Sequence, residues 1–317
     1  MLRPRKPFRP IIHFVVALAL ITTLYFSGAS LLKKTTKVPV WPQPLENRTN
    51  LAQDVLDFQA GMLALKNNPQ NSAAAIDYII ITVADFIDYV EDPKARLALL
   101  NMHKIPERFP NFAFLSLSGP GSYLGAITFN EEHYISVNPN SFIYTDVAIH
   151  EFVHFLDNLS QILEFEKKPA QTRFYYKAFY HLDYNVVDKV RRDFFASDGA
   201  ILDFHQKKRK EDIRKVESIF SPSDDLGDIL RFLNHNETEI VLDNGRKYNI
   251  YFGHDRDYYS HYNLSSEFIA AYFKFKATNQ EDYLAIIRTC FGEDLYKILD
   301  DYYYLMLDNF ISFFDLD

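Results

Sequence analysis

Two histidines four residues apart, with a glutamate directly after the first, stand in the stretch Asp146-Val-Ala-Ile-His-Glu-Phe-Val-His-Phe-Leu-Asp157. On a helix this spacing stacks His150 and His154 on one face, so both imidazoles can reach one metal ion while Glu151 stands beside it. The ion this pattern implies is zinc, one per chain. Zinc with three protein ligands keeps a fourth position for water and lowers that water's pKa from about 15.7 to about 7. Glu151 is then the expected base. So short a motif also arises by chance on solvated helix faces. Here Val147, Ala148, Ile149, Phe152, Val153, Phe155 and Leu156 make the segment apolar nearly all round, which predicts a buried helix with a few polar groups facing one cavity. Two histidines and a glutamate buried without partners would carry a desolvation penalty, and a metal relieves it.

A two-histidine site lacks a third ligand. Downstream, Glu267 opens the apolar run Phe268-Ile-Ala-Ala-Tyr-Phe273, with Ser265 or Ser266 as a helix cap. A carboxylate there could serve only the helix dipole, but it is the best placed candidate to complete the metal site. Glu281, in Thr278-Asn-Gln-Glu-Asp-Tyr283, is the runner-up.

The elements that must position these groups read as mainly helical. Helical patterns cover 51–66, 72–90 and 93–103, and Ile76, Ile79, Ile80, Val83, Ile87 and Val90 form a core-facing stripe. After Pro106 and Pro110, the runs 112–117, 125–129 and 133–137 read as short strands. A strand close before the motif helix could hold an extended peptide as one more strand. Residues 174–206 are helical in pattern and rich in Tyr and Phe; the charged run 207–217 reads as a solvated helix or loop, since acidic residues interrupt it. The stretch 239–251 reads as a hairpin with Asn244-Gly245 in a type I′ turn, part of an insert at about 165–253 that covers or shapes the cleft.

The N-terminus differs in composition. Arg3, Arg5, Lys6 and Arg9 precede an uncharged run, 11–32, and Lys33, Lys34 and Lys37 follow it. Its 22 residues are long enough to cross a bilayer. A cleaved signal peptide is the alternative, with Ser27-Gly28-Ala29 as its cleavage pattern, although the run exceeds a usual signal core of about 7 to 15 residues. The basic start places that end in the cytoplasm and the body outside. Residues 1–40 hold 7 of the 34 basic side chains and none of the 42 acidic ones, so the remainder, with 27 against 42, carries −15. Such an acidic body is no partner for nucleic acid. The one cysteine, Cys290, excludes an intramolecular disulfide and a thiolate metal cluster, and its apolar neighbours read as a packed position.

With both segments in hand, the sequence resembles the HExxH-plus-Glu zinc peptidases, or gluzincins, and within them the Mlc titration factor A group with its relative, the catalytic domain of anthrax lethal factor. The likeness rests on His150-Glu-Phe-Val-His-Phe-Leu-Asp157, on Glu267-Phe-Ile-Ala270 and on the pattern Leu295-Tyr-Lys-Ile-Leu-Asp-Asp-Tyr302. It implies His150, His154 and Glu267 as ligands and Glu151 as base, with Asp157 either steadying a histidine or sitting at the surface. The family's oxyanion-stabilising tyrosine has candidates in Tyr258, Tyr259 and Tyr262, and a tyrosine or histidine near 254–262 is expected to steady the oxyanion. The chain departs from the family in the length between the two motifs and in the leading apolar segment.

These readings predict an α+β, mainly helical zincin-like metallopeptidase domain with a small sheet next to the active-site helix, preceded by one transmembrane helix. The expected division is 1–37 basic end and anchor, 38–47 linker, 48–110 helical scaffold and 111–317 peptidase domain. The expected protein is a single-pass membrane metallopeptidase with an extracytoplasmic body, or a secreted one if the leader is cleaved, acting on a peptide or protein substrate. Its rivals are a catalytically silent binding or structural protein with the same fold, and a zinc hydrolase of other substrates.

Overall fold

The computed structural model describes residues 45–117, 122–124, 133–139, 146–167, 199–214, 222–233, 239–242, 244–249 and 263–316. All belong to the unit running Trp41–Asp317. The described part is mainly helical with a small sheet, an α+β arrangement. Among the described residues no helix is long and apolar enough to cross a membrane, and the 11–32 segment lies outside them.

Three helices come first: α1 (Gln53–Leu65), α2 (Ala73–Ile87) and α3 (Pro93–Leu100). Their starts follow capping chemistry. The Ser72 hydroxyl accepts from Ala75 N–H, and the Asp92 carboxylate accepts from Lys94 and Ala95 N–H ahead of Pro93 in the first turn. The α2 stripe is buried at Ile76, Ile79, Ile80, Val83 and Ile87, with Val90 packed at its margin. A short α4 (Ile105–Arg108) leads into the sheet.

Strand β1 (Phe112–Ser116) pairs in parallel with β3 (His133–Val137), and β2 (Ser122–Leu124) pairs antiparallel to β3, giving the order β1-β3-β2. The predicted strand at 125–129 lies outside the described residues, and the pairing at Ser122–Leu124 was not expected. Helix α5 (Val147–Lys167) lies against β2, β3 and α2. Its apolar underside is a ring cluster: Phe155 meets Phe109, Phe112 and Phe310 edge to face, at centroid distances of 5.5, 5.7 and 6.4 Å.

Helix α6 (Ala200–Arg214) takes in the described part of the charged run, which is therefore a helix and not a loop. Helix α7 (Pro222–Leu233) buries Leu226, Ile229 and Leu230. Strands β4 (Glu239–Val241) and β5 (Lys247–Asn249) form the hairpin, which docks on α6 through the Tyr248 hydroxyl and Arg246, each 3.0 Å from an Asp203 oxygen. Its turn is not type I′. Gly245 has φ +80° whereas Asn244 is not in the left-handed region, and Gly245 N–H donates to Leu242 C=O while Leu242 N–H donates to Arg246 C=O. With Val241 opposite Lys247, the strands are joined by an odd number of residues, so a two-residue turn at Asn244-Gly245 does not fit, and a left-handed glycine closes a three-residue connection.

Helix α8 (Asn263–Ala277) begins earlier than the predicted Ser265 or Ser266 cap, so both serines lie inside it. Helix α9 (Glu281–Phe313) is kinked at Gly292, whose φ of 77° and ψ of 164° break the helical path. The side chain of Cys290 is outside the described residues. One continuous core joins α1 to α3, the sheet, α5 and α7 to α9.

Phe155→Ala should destabilise the chain by about 3–5 kcal/mol, the range for removing a buried aromatic ring. Denaturant unfolding measures it, and a loss under about 1 kcal/mol would mean that the cluster repacks.

Candidate metal centre

Helix α5 starts from Asp146, whose carbonyl accepts from the N–H groups of Ile149 and His150 at 3.0 and 3.1 Å. Ile149, Phe152, Val153, Phe155 and Leu156 bury one side of the helix in the core. The helical period then turns His150 and His154 together to the other side. Their rings lie edge to face with centroids 4.6 Å apart, and the two Nε2 atoms are 3.0 Å apart. Each side chain keeps slight exposure, 13% and 12%, enough for solvent to reach the rings.

Helix α8 brings Glu267 to this face. One carboxylate oxygen is 2.8 Å from His150 Nε2, the other 3.5 Å from His154 Nε2, and the side chain is only 3% exposed. One donor atom from each of the three residues lies within 4.8 Å of the other two, so the triad could hold a metal ion. Glu281, the competing carboxylate, is the exposed first residue of α9. The dipole account of Glu267 also loses force, because α8 starts at Asn263 and the carboxylate stands beyond the first turn, where the dipole's hold has faded.

The donor set fits a divalent cation. Burial pushes His150 down to about 4 against the pull of the Glu267 carboxylate, which leaves a neutral imidazole. Burial works the same way on His154, but the carboxylates of Glu267, Glu151 and Asp157 outweigh it and lift it to about 9. Burial would raise Glu267, yet the two imidazoles hold it well below the usual carboxylate range. Without a metal the cluster thus gathers a proton between two facing nitrogens and a carboxylate. A metal ion would take that proton's place.

Around the triad, Glu151 is buried and near enough to His154 to favour its protonation. Asp157 is buried too, one helical turn beyond His154, so it is not a surface residue at the helix end. Its carboxylate accepts from the Tyr302 hydroxyl of α9. Burial pushes this carboxyl up, against the hydrogen bonds from Tyr302 and Gln161 and the nearby His154. Tyr258, Tyr259, Tyr262 and the histidine at 254 lie outside the described residues.

Sequence reasoning missed the layer behind the triad. Lys274 of α8 is buried, with its Nζ 2.9 Å from Asp146 and 2.5 Å from Asp225. The signal was present, since a lysine inside Phe268-Ile-Ala-Ala-Tyr-Phe-Lys-Phe275 needs partners if the helix is buried.

A divalent ion should bind with an affinity that rises with pH up to about 9 and then levels off, because the proton on raised His154 competes with it below that point. Titration calorimetry in buffers of differing ionisation enthalpy reads the proton released on uptake. Binding with neither pH dependence nor proton release would contradict this assignment. His150→Ala and Glu267→Ala should abolish uptake, and Glu281→Ala should not.

Comparison with protein-family models, with curated proteins and with solved structures finds no match to this chain, so the geometry of these residues carries the functional reading that follows.

Proposed function

We propose that the chain is a zinc-dependent metallopeptidase of the zincin-like, glutamate-liganded kind, with His150, His154 and Glu267 as ligands and Glu151 as general base. The observation that carries this is the meeting of Glu267 with both histidines across more than a hundred residues of sequence. Two neutral imidazoles and one carboxylate are a common donor set for catalytic zinc. Glu267 also reduces the ion's charge in a largely apolar setting. When bound, zinc supplies Lewis acidity and acidifies a water held at its open position. Glu151, the residue after a ligand and not itself part of the triad, accepts the proton from the attacking water and passes it to the leaving amine. Asp157, held by Tyr302, fixes the outer side of the site near His154. A tyrosine among 258, 259 and 262 is the expected oxyanion donor.

The sheet supports a peptide over a small substrate. At the outer edge of β1, Phe114 N–H donates to the Asn71 side chain and Phe114 C=O accepts from Ser72 N–H, both at 2.8 Å. That edge is taken. Strand β2 forms the other edge, nothing among the described residues pairs with its outer side, and it lies against α5. An extended peptide adding there would run along the helix that bears the histidines.

Glu151→Gln should keep zinc and lower peptide cleavage by about 100- to 10,000-fold, the usual worth of a general base. Loss of zinc as complete as in His150→Ala would overturn the role given to Glu151. A parent chain that holds zinc but cleaves no member of a peptide library would favour the silent binding protein.

The run 11–32 supports a single-pass anchor with the body outside the cytoplasm. Full-length chain should sediment with membranes, and protease added outside should digest the body once any wall or outer membrane is opened. Full protection would reverse the orientation; a soluble chain starting near Ser30 would point to a cleaved leader.

A further inference from the structure

The ion cluster behind the triad joins three helices. Lys274 follows Glu267 by seven residues on α8, two turns or about 10 Å along the axis. Asp146 precedes His150 by four residues at the start of α5, about 6 Å. Since Glu267 meets His150 while Lys274 meets Asp146, the two helices cross antiparallel and are pinned at two levels, once by the metal ligands and once by an ion pair. The third member, Asp225, comes from α7 in the long stretch between the two motifs. The side chains of Lys274 and Asp225 are 4% and 6% exposed, so solvent scarcely screens these contacts. Sliding α8 along α5 by one turn would bury an unpaired ammonium and two carboxylates as well as separating Glu267 from the histidines.

We infer that Lys274 is a positioning residue of the metal site, setting the register of α8 on α5 so that Glu267 reaches both imidazoles, with Asp225 making the helix α7 part of the same lock. This rests on the reading of His150, His154 and Glu267 as a metal centre. Burial opposes the charge on Lys274, but the two carboxylates more than offset it and hold the ammonium form above its ordinary range. The lock therefore stays charged at neutral pH. Lys276, two residues on, is the natural contrast: it pairs with Asp300 of α9 at 2.6 Å, about 200° round α8 from Lys274.

The test uses the full chain and cobalt(II), whose visible absorption reports ligand number and geometry. Lys274→Met and Asp225→Asn should remain folded by circular dichroism, bind cobalt about 10- to 100-fold more weakly, the usual effect of removing a partner behind a ligand, and show an altered spectrum. Lys276→Met should match the parent in both. If folded Lys274→Met and Asp225→Asn keep the parent's affinity and spectrum, the lock is wrong; if Lys274→Met does not fold, Asp225→Asn decides alone. A loss of affinity as large in Lys276→Met would also overturn it, by showing that any ion pair on α8 has the same effect. A parent chain that takes up no cobalt fails at the earlier step, and the metal reading falls with the lock.

Discussion

A carboxylate set between two imidazoles, in the seam where α5 crosses α8, is the constraint around which the described structure is arranged. Each group alone would resist burial. Together they hold one another: His150 stays neutral, His154 is pulled toward the cation and Glu267 toward the anion. Such a cluster tolerates little error in position, and the core beneath it is aromatic and closely interlocked. Phe109, Phe112 and Phe310 interlock with Phe152 and Phe155 on the underside of α5, and α9 braces the middle of that helix through Tyr302 and Asp157.

The part of this that could be read from sequence is the part governed by local period. His150 and His154 at helical spacing, the Ile76 to Ile87 stripe and the helix start at Pro93 are all short-range patterns, and all three appear as expected. Local reading failed where a boundary or a turn depends on what lies beyond the window. Asn244-Gly245 is compatible with two hairpin turns, and the residues on each side chose the longer one. Serine caps helices, so Ser265 or Ser266 is the expected start of α8, but the helix reaches back to Asn263. The meeting of Glu267 with the histidines needed a chemical argument, the want of a third ligand, since no periodicity joins segments that far apart. The Lys274 cluster lacked even that prompt. Three residues on three helices share no pattern in the chain, and only the oddity of a lysine in an apolar run marked it.

The described part of the long stretch between the motifs is not an appendage. Leu226, Ile229 and Leu230 of α7 enter the same core as the motif helix, and the hairpin closes on α6 through Tyr248 and Asp203. Gly199, at φ +70°, lies where a Cβ would fall 2.8 Å from Leu242 and from the Tyr248 hydroxyl. A glycine suits that point both for its backbone and for the hairpin's close approach.

The sealed edge of β1 has a consequence outside the chemistry of the site. A small sheet with two open edges invites other chains to extend it, the common route to aggregation. Here Asn71 and Ser72 occupy one edge at Phe114, and the other belongs to a strand of three residues. Growth of the sheet by stacking further copies would thus have to proceed from the short side alone. In a chain with 28 Phe and 21 Tyr, that asymmetry leaves edge-to-edge pairing less to build on.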